Sequence, residues 1–95
     1  MRVHWTRNAI KHLTSIYEYI ALNSHTYATN MVDRLTRRSE QIADHPQSGR
    51  MVPEYYAEEI REVIEKPYRI IYRIKPDQID VIAVIHGARL LQNGL

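Results

Sequence analysis

The chain contains no cysteine among its 95 residues. This absence excludes a disulfide framework, a thiolate nucleophile and a cysteine-based zinc site. Glycine is also scarce, with three residues in the whole chain, so no glycine-rich loop is available to cradle a phosphate group. The chain is therefore restricted to functions that need neither thiol chemistry nor a nucleotide-binding loop.

Long apolar runs are absent as well. No stretch approaches the roughly 20 residues that span a bilayer, and the sequence from Met1 to Thr6 lacks the apolar core of a signal peptide. We expect a cytoplasmic protein on these grounds. No repeat, low-complexity tract or linker interrupts the sequence, so residues 1–95 are expected to form one domain.

The histidines give no sign of a metal site. They are scattered along the chain, and no two of them lie four residues apart on one helix. A metal enzyme needs convergent His, Asp or Glu ligands, so neither a metal nor any other cofactor is expected. A Ser-His-Asp hydrolase is not supported either, because the sequence has no strand–turn–helix nucleophile elbow.

The charge pattern permits contact with nucleic acid without demanding it. The formal net charge is +2, and five glutamates lie between Glu54 and Glu65. A protein that depends on phosphate contacts usually carries a denser positive patch. Charge alone therefore does not select a partner.

Two amphipathic helices are predicted in the first half of the chain. Thr6 is the expected N-cap of a helix over about residues 7–21. Asn23-Ser24 ends that helix and offers a cap for a second one, which ends at the segment from His45 to Gly49 because proline cannot continue it. Two helices joined by so short a turn are expected to pack as an antiparallel hairpin.

The second half of the chain follows the period of two that is typical of strands. Residues 60–66, 68–74 and 79–86 are predicted strands, and residues 2–5 are a predicted edge strand. The predicted fold is α+β in the order β-α-α-β-β-β, with the helical hairpin packed on an antiparallel sheet.

The hairpin between the last two strands predicts which residues share a face. If Pro76 and Asp77 form the turn, Arg73 faces Asp80 and Arg69 faces Val84. The face that packs on the helices is then almost entirely apolar: Tyr68, Ile70, Tyr72, Ile74, Ile79, Val81, Ala83 and Ile85. The opposite face is mixed, and we expect a polyanion or a partner chain there: Arg69, Ile71, Arg73, Asp80, Ile82, Val84 and His86.

Several short motifs in fixed order resemble the RelE/ParE superfamily of toxins. They are Trp5-Thr6 before the first helix, His45-Pro46-Gln47-Ser48-Gly49-Arg50, Ile60-Arg61-Glu62-Val63, the Tyr-Arg-x-x-Tyr strand from Tyr68 to Tyr72, and His86-Gly87-Ala88-Arg89. The resemblance covers essentially the whole chain and implies the fold predicted above. It also implies a cognate antitoxin partner, with which the chain would form a hetero-oligomer.

The resemblance leaves two targets open, because RelE-like members cleave messenger RNA on the ribosome whereas ParE-like members poison DNA gyrase. For the ribonuclease branch, the resemblance implies that Arg69 serves the phosphate, that Arg89 is a second catalytic arginine and that His86 stands in for a histidine found in some members. Such a reaction needs charge at the phosphorus and groups that move protons.

Two departures favour the ParE-like branch. Where the ribonucleases carry two lysines on the first long strand, this chain has Ile60 and Glu62, and a glutamate would repel a scissile phosphate. The sequence after Arg89 also lacks the tyrosine that those enzymes use. We therefore favour a toxin that binds gyrase, with messenger-RNA cleavage as the alternative and a non-toxic interaction module as a second alternative.

Arg50, Arg61 and Arg73 are the candidate target-binding residues. Each also has a structural interpretation. Arg73 is expected to pair with Asp80 across the hairpin, Arg61 to lie on a solvated strand face, and Arg50 to hydrogen-bond turn carbonyls. His86 also has a structural interpretation, as a neutral histidine that closes the last strand. Arg69 is in addition a candidate contact for the antitoxin.

Overall fold

A five-stranded sheet carries a helical hairpin on one face in the computed structural model, which describes residues 1–87. The strands lie in the order β1-β5-β4-β3-β2, in which β1 runs parallel to β5 and all other pairs are antiparallel. The bounds are β1 Arg2–Trp5, α1 Arg7–Ala21, α2 His25–Ile42, β2 Arg50–Met51, β3 Ile60–Glu65, β4 Tyr68–Ile74 and β5 Gln78–His86. The predicted α+β fold is confirmed, with the two-residue strand β2 as an unpredicted addition.

The helices begin at the predicted caps. The hydroxyl of Thr6 accepts a hydrogen bond from the amide of Ala9 at 3.2 Å, and that of Ser24 accepts one from Tyr27 at 3.1 Å. These bonds satisfy amide groups of the first turn that have no partner within the helix. Neither helix among residues 1–87 is long and apolar enough to cross a membrane.

The main core lies between the helices and the sheet. Residues from both helices and from strands β3, β4 and β5 fill it, and the indole of Trp5 donates to the hydroxyl of Ser39 at 3.2 Å. The buried members of this core are Ala9, Leu35, Ile42, Val63, Tyr68, Ile70, Tyr72, Ile79, Val81 and Val84.

The register of the β4–β5 hairpin changes halfway along it. Arg73 pairs with Asp80, as predicted, but Arg69 pairs with Ile85 because Ile82 is an extra residue in β5. In such a β-bulge two residues of one strand lie opposite a single residue of its partner. The side chains of β5 after the bulge therefore point to the face opposite to the predicted one. The predicted faces are therefore wrong for the end of β5: Val84 lies in the main core, and Ala83 and Ile85 lie on the opposite face.

The start of α1 binds the bulged segment. Thr6 donates its hydroxyl to the carbonyl of Val81 at 3.0 Å, and the Asn8 amide donates to Ile82 at 3.0 Å. The amide of Val84 donates to Nδ1 of His12 at 3.1 Å. Because β1 ends at Trp5, these side chains satisfy backbone groups of β5 that β1 does not reach.

The outer face of the sheet, the one away from the helices, is covered by a segment of the chain. We call residues 52–57 the strap. Val52, Tyr55 and Ala57 of the strap pack against the outer face in a second apolar cluster, which contains Ile60, Ile71, Ile82, Ala83 and Ile85. The mixed face, on which a polyanion or a partner chain is expected, is therefore in part a second, smaller core.

The turn before β2 is fixed by Tyr72. The phenol donates to the carbonyl of Pro46 at 2.5 Å and accepts from the amide of Gly49 at 3.1 Å. A Cβ atom at position 49 would overlap the Tyr72 oxygen and would lie 2.7 Å from the Glu62 carbonyl. Glycine is needed at position 49 because of this close approach. Burial of the Tyr72 phenol also raises its pKa.

Tyr72→Phe is expected to lower the free energy of unfolding by about 1–3 kcal/mol, because a buried amide and a carbonyl lose their partner. Urea denaturation followed by circular dichroism measures this change. Tyr56→Phe is the matched control, since Tyr56 is 96% exposed. Equal stability of the two variants would contradict the structural role of the Tyr72 hydroxyl.

Candidate functional site

The candidate residues divide between the two faces of the sheet. Arg50 pairs with Glu62, and Glu62 pairs in turn with Ile71 of the outer cluster. Alternation along β4 then places Arg69 and Arg73 on the outer face with Arg50. Arg61 alternates to the helix side of β3, and His86 lies beside Tyr68 of the main core.

Arg69 is enclosed by two carboxylates. Its Nε donates to Glu62 Oε1 at 2.7 Å, and its Nη1 and Nη2 donate to the two oxygens of Glu54 at 3.0 and 2.9 Å. The residue is 5% exposed. The hydrogen bonds to Glu54 and Glu62 outweigh burial and raise the pKa of the guanidinium further. Arg69 is therefore a permanent cation whose charge is neutralised within the chain.

Glu62 joins a second arginine to this network. Its side chain is fully buried, and its Oε2 accepts from Nε of Arg50, whose own side chain is 64% exposed. A buried carboxylate is stable in its charged form only when cations and hydrogen bonds compensate for lost hydration. The glutamate that sets this sequence apart from the ribonucleases is therefore the centre of an ion network and cancels positive charge on the outer face.

Arg61 binds carbonyl groups of the nearby turns. Its Nη1 donates to the carbonyl of Gly49 at 3.0 Å and its Nε to that of Glu58 at 3.0 Å. The sequence predicts this kind of contact for Arg50, which instead pairs with Glu62. The turn motif and the Tyr-Arg-x-x-Tyr strand thus meet in space, through Tyr72 at Gly49 and through Glu62 between Arg50 and Arg69.

The expected ion pair between Arg73 and Asp80 does not form, although the two residues are paired in the ladder. Asp80 instead accepts from Lys75 at 2.8 Å and from Gln78 at 2.6 Å. Burial would raise the pKa of Asp80, but the hydrogen bonds from Lys75 and Gln78 outweigh it and lower that pKa. Arg73 is exposed on the outer face.

His86 lines a groove between α1 and the end of the hairpin. Its ring meets Tyr68 edge-on, with centroids 5.9 Å apart, and burial raises the pKa of the Tyr68 phenol. The groove has a volume of about 620 Å³ and is lined by His12, Ser15, Ile16, Tyr19, Tyr68, Val84, Ile85 and His86. Arg89, the third candidate catalyst, lies outside the described residues.

The structure therefore does not bring Arg69 and His86 together. Arg69 lies on the outer face, where it binds Glu54 of the strap, and His86 lies at the groove on the helix side. A phosphoryl reaction needs its charged and proton-transferring groups around one reacting atom. The sequence analysis did not identify Glu54 as a partner of Arg69. The five glutamates between Glu54 and Glu65 were the available signal, because such a segment can supply a negative charge to a buried arginine.

Comparisons with known proteins agree on the family. The family model for the ParE toxin of the type II toxin-antitoxin system parDE matches residues 3–91. Toxin RelE2 of Caulobacter vibrioides is 32% identical over 90 residues, which cover 94% of this chain and 98% of that protein. Putative toxin Y4kP of Sinorhizobium fredii is 31% identical over 88 residues, which cover 90% of this chain and 88% of that protein.

The fold has a counterpart among solved structures. A chain of the chromosomal ParDE toxin-antitoxin system from P. aeruginosa superposes with a TM-score of 0.75 at 22% identity, over 90% of this chain and 95% of that chain. The superposition shows that the two chains share a two-layer α+β fold. The chain belongs to the ParE toxin family of type II toxin-antitoxin systems.

Arg69→Ala is expected to lower the free energy of unfolding by about 3–5 kcal/mol, because the fully buried Glu62 then loses one of its two arginine partners. Arg73→Ala, which removes an exposed arginine from the same strand, is the control and should change stability little. Urea unfolding of both variants measures the difference. A loss as small for Arg69→Ala as for Arg73→Ala would contradict the role of Arg69 in the fold.

The lowered pKa of Asp80 predicts a loss of stability in acid. A carboxyl whose pKa is lower in the folded chain stabilises the fold at pH values above its unfolded pKa, which for Asp is ordinarily 3.8. This contribution is lost as the pH falls through the pKa of the folded chain. Asp80→Asn should therefore be less stable than the unmodified chain at about pH 6, and the difference should shrink below about pH 3. Urea midpoints at the two pH values measure it. A difference that does not depend on pH would contradict the prediction.

Proposed function

We propose that this chain is a growth-inhibiting toxin that acts by binding DNA gyrase and is neutralised by a cognate antitoxin in the cytoplasm. The observation that carries the proposal is the enclosure of Arg69 by Glu54 and Glu62. The arginine that a ribonuclease would use at the phosphate already has both edges of its guanidinium bound to carboxylates. A protein–protein mechanism needs no such free cation.

The separation of the candidate catalysts supports the same choice. His86 lies on the helix side of the sheet and Arg69 on the outer face, so the two side chains do not face one reacting atom. The match to the ParE toxin model over residues 3–91 is a further argument for the gyrase target. Under this proposal Arg50 and Arg73, both exposed on the outer face, are contacts for the target.

Cleavage of messenger RNA remains the alternative, because the Caulobacter relative bears the name RelE2. It would require Arg69, His86 and Arg89 to assemble at the ribosome into one site. That assembly would have to break the contacts of Arg69 with Glu54. The two mechanisms predict different responses of a bacterial cell. They also predict different effects of the substitution His86→Gln.

Induced expression in a bacterial host is expected to cause filamentation and an SOS response, with abundant messages intact. Purified chain added to gyrase and DNA should accumulate cleaved DNA complexes. His86→Gln should leave both effects unchanged, because His86 lies at the groove on the helix side and the proposed target contacts Arg50 and Arg73 lie on the outer face. Co-expression of the protein encoded beside this chain should restore growth.

Primer extension on the same cells tests the alternative. Cuts at ribosome-occupied codons, lost in His86→Gln, together with translation arrest and no SOS response, would overturn the gyrase proposal. Normal growth without either response would overturn toxicity itself and leave an interaction module.

A further inference from the structure

The end of β5 is held by side chains of α1 at positions that β1 does not reach. The ladder between β1 and β5 ends at Val81, and β5 continues beyond it. There the side chain of Asn8 donates to the carbonyl of Ile82, and the amide of Val84 donates to the ring of His12. α1 thus supplies one donor and one acceptor where a neighbouring strand would supply its backbone groups.

The bond to Val84 defines the protonation state of His12. A backbone amide can only donate, so Nδ1 of His12, which lies 3.1 Å from it, is the acceptor and carries no proton. The proton of the neutral ring is then on Nε2. A protonated imidazole carries an N–H at both ring nitrogens and has no acceptor left. The bond therefore exists only while His12 is neutral.

His12 lines the groove between α1 and the end of the hairpin. Within residues 1–87, the titratable side chains that line this groove with it are Tyr19 of α1, Tyr68 of β4 and His86 of β5. Phenols ordinarily ionise near pH 10 and imidazoles near pH 6.5, and burial raises the pKa of Tyr68 further. Among these side chains, the two imidazoles are the groups that change charge between about pH 8 and about pH 5.

A proton on Nδ1 of His12 would place two N–H groups against each other at the end of β5. Val84 belongs to the main core and is 2% exposed. A buried amide that loses its acceptor destabilises the fold until it finds another one. Water can supply that acceptor when it enters between α1 and β5, and its entry widens the groove.

We propose that His12 is a proton-sensitive switch between α1 and β5. The neutral ring accepts from Val84 and holds the end of β5 against α1, whereas the protonated ring releases this amide and opens the groove. Thr6 and Asn8 bind the same part of β5 through groups that do not titrate, so α1 stays attached at the bulge while the groove widens. This inference goes beyond the proposed toxin function and does not depend on it.

The test follows hydrogen exchange of the Val84 amide in the full chain at about pH 7.5 and about pH 5, with rates corrected for the intrinsic effect of pH. His12→Asn is the central variant, because its Oδ1 is as many bonds from the backbone as Nδ1 and accepts a hydrogen bond at either pH. His86→Gln is the matched control, since it removes the other imidazole of the groove and leaves His12 in place.

In the unmodified chain and in His86→Gln, protection of the Val84 amide is expected to fall about tenfold from the higher to the lower pH, which is the effect of losing one hydrogen bond. In His12→Asn the protection should be the same at both pH values. Equal protection at both pH values in the unmodified chain would overturn the proposal, and so would an equal fall in His12→Asn. A fall that disappears in His86→Gln would assign the effect to His86 and would overturn the proposal as well.

Circular dichroism melting at both pH values establishes first that each variant is folded. If His12→Asn does not melt cooperatively, the unmodified chain decides the question by nitrogen-15 NMR, since the ring shifts of His12 report protonation of Nδ1 directly. Exchange of the Val84 amide must then follow the same titration curve, and exchange that does not follow it would overturn the proposal. None of these readouts involves growth or gyrase, so a failure here is distinguishable from a failure of the proposed function.

Discussion

The fully buried carboxylate of Glu62 is the constraint on which the outer half of the structure depends. A charge at that depth must be compensated, and the two arginines that compensate it come from the edge strand β2 and the central strand β4. The same arginine on β4 then holds Glu54, so the strap closes over the second apolar cluster. The ion pairs of Glu62 thus link β2, β3 and β4, and Arg69 in turn holds Glu54 of the strap, which adds to the neutralisation of its charge.

This arrangement brings together motifs that lie far apart in the sequence. Gly49 and Arg50 of the turn meet Tyr72 and, through Glu62, Arg69 of the central strand. In this chain the motif residues hold the sheet and the turn together. Their presence alone therefore does not indicate catalysis.

Local sequence patterns were sufficient for much of the fold. The caps at Thr6 and Ser24 and the period of two in β3 and β4 act over a few residues, and the structure has the helices and strands where these patterns place them. The bulge at Ile82 could not be predicted, because it depends on Asn8 and His12 of α1, some 70 residues away in the chain. The partner of Arg69 was missed for the same reason: the strap has no periodic pattern, and only the folded chain shows that it returns to β4.

Replacing the central ion pair by apolar residues tests the account most directly. In Glu62→Leu combined with Arg69→Met and Glu54→Gln, the charges of the network are removed together, so no buried charge is left unpaired. Arg50 also loses its partner, but its side chain is 64% exposed. Growth arrest is then measured in induced cells alongside the stability of the purified chain. The account predicts a folded variant that still arrests growth, because Arg69 has a structural role. A variant that folds with normal stability but no longer arrests growth would contradict it and assign Arg69 to the chemistry.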